Sequence, residues 1–173
     1  MEQNNIVADE KKHYVVATAI IVKDGKYLIA KRAPNEKAFP NRWTVPGGKL
    51  NSSEYTNRAP DAKELWYNVV EDLVAREVKE EVGLEVKELD YVTSLTYIRS
   101  DNYPCIIISM WGNYHGGEVK LCKDLTEYAW VTLEEAKKYD LIDGIFEELE
   151  MLDNFLKTGK RERWKKNNSP NKN

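Results

Sequence analysis

The chain is poor in cysteine: Cys105 and Cys122 are the two it has in 173 residues. Two thiols make neither a disulfide framework nor a four-ligand zinc centre. Histidine is equally scarce, and His13 and His115 have no metal-ligating neighbour at a useful spacing. No apolar run is long. The most continuous one, residues 15–22, falls far short of the ~20 residues that span a bilayer. The opening Met-Glu-Gln-Asn-Asn has neither the basic start nor the apolar core of a secretory signal. There is no basic surplus either. Lys and Arg number 26 against 29 Asp and Glu, a net charge of −3, so the chain lacks the overall signature of a nucleic-acid binder. What remains is a single globular domain, expected in the cytoplasm and off the membrane. With 42% hydrophobic residues it has enough apolar surface for a real core.

Charge is nevertheless uneven. From Lys157 on there are seven basic residues and one acid, a surplus of six, which leaves −9 on residues 1–156 against the total of −3. Residues 159–173 read as a basic, disordered tail and residues 1–12 as an N-terminal extension, with one domain over 13–158. Such a tail could touch RNA or anionic lipid, but a solvated tail is the plainer reading, and nucleic acid is not expected as a partner.

Residues 13–23 are rich in β-branched side chains and read as a largely buried strand. Asp24-Gly25 is a two-residue hairpin signal, since both types tolerate positive φ. A second strand returns over 26–32, with Tyr27 and Ile29 on one face and Leu28 and Ala30 on the other. After a proline-containing loop comes the short apolar piece Trp43-Thr44-Val45. Leu65, Val69 and Leu73 recur every four residues, flanked by Trp66, Val70, Val74, Val78 and Val82. That stripe predicts a helix over residues 61–82, opened at Pro60-Asp61 and closed by Gly83. Residues 91–99 and 105–114 read as a hairpin, 115–117 as a turn, and 118–122 and 127–131 as further extended segments. Thr132 and Glu135 form a capping box for a short helix, and residues 145–156 a last amphipathic one. Hairpins around one long helix place the chain in the α/β (α+β) class, not among doubly wound sheets.

The chemistry concentrates in Arg76-Glu77-Val78-Lys79-Glu80-Glu81-Val82-Gly83-Leu84. On a helix Glu77, Glu80 and Glu81 stand at i, i+3 and i+4 and crowd one face. Their hard oxygens suit Mg²⁺, with Mn²⁺ as a substitute, although such a triplet is more often a solvated face. The loop upstream raises its standing. Pro46-Gly47-Gly48-Lys49 supplies backbone able to approach a ligand closely, and Glu54 follows Gly48 after five residues.

Together these residues resemble the Nudix box, Gly-x5-Glu-x7-Arg-Glu-U-x-Glu-Glu-x-Gly-U with U aliphatic. Gly48 and Glu54 match its first half, and residues 76–84 match every specified position of the second. The likeness runs over about residues 13–156, including Lys31-Arg32, Trp43-Thr44-Val45-Pro46-Gly47-Gly48 and the segment from Glu127 to Ala136. One departure stands out. Twenty-one residues separate Glu54 from Arg76, fourteen more than the box allows. Counting back from Arg76 would put Asn68 in place of the first glutamate; counting forward keeps Glu54, which is the preferred reading.

The resemblance implies a Nudix fold, a mixed β-sheet sandwiched between helices. It also implies Mg²⁺-dependent hydrolysis of a nucleoside diphosphate linked to another group. By the same token Glu77, Glu80 and Glu81 would hold the metal with the Gly47 carbonyl, and Arg76 would hold the glutamates in place. The base would be a box glutamate, Glu80 or Glu81, or a later acid: Glu127 and Glu118 first, Asp124 behind them. Arg32, Lys49 and the Gly48 backbone are candidates for binding substrate phosphates. Tyr55, Trp66, Tyr67, Tyr97 and Tyr103 could stack on a base, whereas Trp43, Trp111 and Trp130 are expected in the core. A nucleoside triphosphate, standard or oxidised, is the leading substrate class; ADP-ribose or a nucleotide sugar comes next. A silent nucleotide-sensing module is the rival, weakened by the presence of all three glutamates. A homodimer is left open.

Overall fold

The computed structural model describes residues 11–166; what the sequence suggests for 1–10 and 167–173 lies outside the described residues. In chain order the elements are β1 (Tyr14–Lys23), β2 (Lys26–Arg32), β3 (Trp43–Thr44), β4 (Gly47–Lys49), α1 (Ser52–Thr56), α2 (Val69–Val82), β5 (Leu84–Ile98), β6 (Pro104–Gly117), β7 (Leu125–Val131), α3 (Leu133–Ala136) and α4 (Ile145–Thr158). Asp24 and Gly25 both take positive φ, 51° and 73°, as a tight hairpin turn requires. The seven strands form one sheet in the order β3-β2-β1-β6-β5, with β4 against β1 and β7 against β2. β1 and β6 run parallel and the remaining pairs are antiparallel, so the sheet is mixed.

Alternation along the strands divides the core in two. Ala17, Ala19, Ile21, Leu28 and Ala30 pack under α2 with Leu73, Val74, Val78 and Val82. Ile20, Tyr27 and Ile29 point the other way, onto Leu149 and Leu152 of α4. Trp43, Trp111 and Trp130 rest against these clusters. Val74, Val78 and Val82 are 0% exposed, and full burial of each such side chain stabilises by ~1.5–3 kcal/mol. Like-charged pairs one turn apart cost only about 0.2–0.5 kcal/mol each. The helix can therefore carry Glu77, Glu80 and Glu81 within two turns.

Three sequence readings need correcting. The helix begins at Val69, not at residue 61: Asn68 precedes it at φ 57°, and residues 57–68 fold as a separate loop. There Asp61 accepts bonds from the Tyr67 amide and from Arg58, and such side-chain-to-backbone bonding competes with helix formation. Residues 118–122 form no strand, because their amides serve the end of α2. Lys120 N–H bonds Val82 O at 3.0 Å and Cys122 N–H bonds Glu81 O at 2.8 Å, occupying carbonyls that a helix leaves unpaired. Residues 115–117 continue β6, paired with Leu84 and Glu85. Gly83 does close α2, at φ 75° with its N–H on Lys79 O. Residues 159–166 carry no helix or strand. Within them Arg161 bonds Asp90 and the Tyr91 carbonyl. Among the described residues no helix is long and apolar enough to cross a membrane.

Candidate active site

β4 brings the glycines to the helix. It pairs with β1 through Thr18↔Gly47 and Ala17↔Gly48, and α2 crosses above it. A Cβ on Gly47 would meet the Ala17 carbonyl and stand 2.7 Å from Thr18 Cα. A Cβ on Gly48 would land on the Glu77 carboxylate. The first glycine lets two strands close, and the second lets a helix glutamate lie against the strand.

Glu77 and Glu81, one turn apart, both face this strand. Glu81 Oε2 accepts the Gly47 N–H at 2.9 Å. Burial pushes the Glu81 carboxyl up to about 7; the Gly47 amide opposes the rise and Glu77 adds to it. Burial also raises Glu77, against the pull of Arg76. Glu80, at i+3, sits on the outer side with its side chain 59% exposed.

Arg76 gathers three carboxylates. Its Nη2 donates to Glu77 Oε1 at 2.7 Å and to Glu54 Oε1 at 3.0 Å, and its Nη1 to Glu80 Oε2 at 2.6 Å. Burial works against the guanidinium charge, but Glu77, Glu80 and Glu54 together outweigh it and hold Arg76 above its ordinary range. Glu54, in α1, also accepts from the Asn51 amide and side chain at 3.2 and 3.1 Å, which fixes its carboxylate. The structure thus brings Glu54 to Arg76 across the long spacer; Asn68 instead serves as the N-cap of α2.

Among the described residues no three side chains of metal-ligand type converge on one point, since Arg76 holds Glu77 and Glu80 and the Gly47 amide holds Glu81. The donor chemistry still fits a hard divalent cation. The groups are carboxylate oxygens, and Glu81 is a partly buried acid whose only direct hydrogen-bond partner among the described residues is a neutral amide. A bound cation would supply the compensation that burial denies it.

The remaining candidates spread around this centre. Glu127 pairs with Lys31 at 2.7 Å, partners across β2 and β7. Asp124 is near enough to Glu81 to raise it electrostatically, and Arg32 near enough to lower it. Arg32 itself holds Glu36 and the Ala38 carbonyl. Glu118 lies exposed beyond the end of α2. Lys49, at the end of β4, reaches the ring of Tyr14 at 5.5 Å, and Arg99 lies 4.7 Å over the same ring. Tyr103 meets Tyr14 edge-on at 5.9 Å. Nothing in the sequence marks Tyr14. It joins Lys49 and Tyr103 only because β1 lies between β4 and β6.

Residues 11–154 match the NUDIX domain model. A relative named nucleoside triphosphatase NudI, from Escherichia coli, is 28% identical over 136 residues, covering 73% of this chain and 86% of its own. The crystal structure of a MutT protein from Methanosarcina mazei Go1 superposes with a TM-score of 0.65 at 27% identity, covering 87% of this chain and 100% of that one. An ADP-ribose pyrophosphatase from Streptococcus suis shares the fold, with a TM-score of 0.62 at 19% identity over 88% of this chain and 98% of its own. Members of the family generally use divalent metal ions. With the glutamate-bearing helix laid on a glycine strand and the domain match spanning most of its length, the chain belongs to the Nudix family of hydrolases, which act on phosphoric anhydride bonds.

Proposed function

We propose that this protein is a Mg²⁺-dependent cytoplasmic pyrophosphohydrolase that converts a nucleoside triphosphate to its monophosphate and pyrophosphate. The observation that carries the reading is the pairing of Glu81 with the Gly47 amide beside Glu77, with Arg76 holding the other carboxylates. Glu77, Glu80, Glu81 and the Gly47 carbonyl would hold the cation, which when bound neutralises charge on the diphosphate and orients the attacking water. Arg76 keeps the glutamates in place. A box glutamate, Glu80 or Glu81, takes the proton from the water as it adds to phosphorus and the anhydride P–O bond breaks. Glu127 is the competing base and is engaged by Lys31. Lys49, Arg32 and the Gly48 backbone meet the phosphates.

The triphosphate is favoured by the relative named a nucleoside triphosphatase. The ring of Tyr14, beside Lys49 and Arg99 at the end of the glycine strand, is a surface on which the base of any nucleotide substrate can stack. The test is product release with and without Mg²⁺ from standard and oxidised nucleoside triphosphates, ADP-ribose, nucleotide sugars and capped RNA, with Glu81→Gln as control. Metal-dependent turnover of a triphosphate, lost in the variant, is the expected result. Preference for ADP-ribose would move the substrate class, and Mg²⁺ binding without turnover of any compound would favour the nucleotide-sensing module.

A further inference from the structure

Between α1 and α2 lies a loop that the general box does not contain, and it is closed by its own set of bonds. Arg58 Nη1 donates to both carboxylate oxygens of Asp61 at 2.9 Å, and Arg58 Nη2 donates to Tyr67 O at 3.0 Å. Asp61 Oδ2 accepts the Tyr67 N–H at 2.9 Å, and Trp66 Nε1–H donates back to Arg58 O at 3.1 Å. The Trp66 ring lies 5.5 Å from that of Tyr55, on α1. Arg58 also stands 3.9 Å from Asp72, on the first turn of α2. The Tyr67 amide and Arg58 hold the Asp61 carboxylate below its ordinary range.

We infer that Arg58 and Asp61 form a clasp that positions Glu54 against Arg76. The argument is one of chain length. A flexible spacer of twenty-one residues instead of seven would lower the chance of its ends meeting roughly fivefold, by the three-halves power of length. Binding residue 58 to residue 67 takes the eight residues between them out of the path, so only 57, 58, 67 and 68 connect Thr56 to Val69. Trp66 on Tyr55 and Arg58 toward Asp72 then fix both helices to the closed loop. Glu54 bonds the same Arg76 nitrogen that bonds Glu77, so the clasp reaches the cation-binding carboxylates through two named contacts. Arg58 is a positioning residue, remote from the reacting atoms, and its role rests on the reading of Arg76, Glu77 and Glu80 as the hydrolytic machinery.

A double-mutant cycle tests it, with Arg58→Ala, Glu54→Gln and the pair together. kcat and KM are measured on the triphosphate, Mn²⁺ binding is followed by electron paramagnetic resonance without substrate, and thermal midpoints are taken. Each single variant should lower kcat and Mn²⁺ affinity about tenfold, the scale for residues that orient metal ligands, with KM little changed. The double variant should be no worse than Glu54→Gln alone, because the clasp acts through Glu54. Multiplicative losses would overturn the inference, as would an Arg58→Ala variant that keeps kcat and Mn²⁺ affinity and loses only thermal stability. Should that variant fail to fold, Asp61→Asn, which keeps an acceptor for Tyr67, is read in its place with the same expectation. A wild type with neither Mn²⁺ binding nor turnover would sink the proposed function and the clasp with it. An active wild type with multiplicative losses would sink the clasp alone.

Discussion

Glu81 accepts a hydrogen bond from the backbone of Gly47 at 2.9 Å, across 34 positions of sequence. That contact joins the two halves of the site, and it places a carboxylate of raised pKa against the glycine strand.

Removing the carboxylate should remove the chemistry. Glu81→Gln is expected to lower kcat by about 10²–10⁴, the range for loss of a general base, with far-ultraviolet dichroism unchanged. Glu127→Gln, which breaks a partly exposed pair with Lys31, should change stability by less than about 1 kcal/mol and turnover far less than Glu81→Gln does. A larger loss in the Glu127 variant would move the base to that residue.

Cation binding should depend on pH with a known sign. Because burial pushes Glu81 up to about 7, a proton competes for this ligand below that value and not above it. Mg²⁺ affinity measured by calorimetry should rise about tenfold per pH unit toward 7 and then level off, as one proton is displaced per ion. In Glu81→Gln the slope should weaken to what Glu77, also raised by burial, contributes.

The two glycines should fail in different ways. Gly47→Ala drives a Cβ into the Ala17 carbonyl and Thr18, rigid backbone of the neighbouring strand, and should destabilise the fold by about 1–3 kcal/mol in urea titrations. Gly48→Ala meets the Glu77 side chain, which can swing away. Its cost should fall mainly on Mg²⁺ affinity, with a smaller change in the urea midpoint.

On the opposite face of the sheet, Glu148 is buried and accepts a hydrogen bond from Ser109 Oγ at 2.7 Å. Burial raises its pKa, so the native state keeps a proton that the unfolded chain releases. Its contribution to stability is full below the ordinary carboxylate range and declines as pH rises through the folded value. Glu148→Gln should therefore be more stable than wild type at pH 8 and gain less at pH 5, as read by chemical denaturation.

Tyr14 tests the nucleoside end of the site. Loss of a base-stacking ring costs about 1–3 kcal/mol, so Tyr14→Ala should raise KM for the triphosphate about tenfold and leave kcat nearly unchanged. A fall in kcat with constant KM would place the ring elsewhere in the mechanism.

Much of this protein was legible in local sequence because the determining forces are local. Asp24-Gly25 forces a hairpin by its backbone preferences, Thr132 and Glu135 cap their helix through bonds three residues apart, and Gly83 ends α2 with a left-handed turn. Glu77, Glu80 and Glu81 likewise stand on one helix, α2, so their spacing could be read without any fold. What tertiary structure decided is what depends on distant partners. The parallel pairing of β1 with β6 brings Tyr14 between Lys49 and Tyr103. The start of α2 moved to Val69 because Asp61 finds the Tyr67 amide and Arg58, bonds that an apolar periodicity does not register. Residues 118–122 gave up extended pairing to cap α2. As the partner of Arg76 the sequence favoured Glu54 over Asn68, although spacing alone argued for both. The folded chain brings Glu54 to Arg76, Nη2 to Oε1 at 3.0 Å, while Asn68 caps α2.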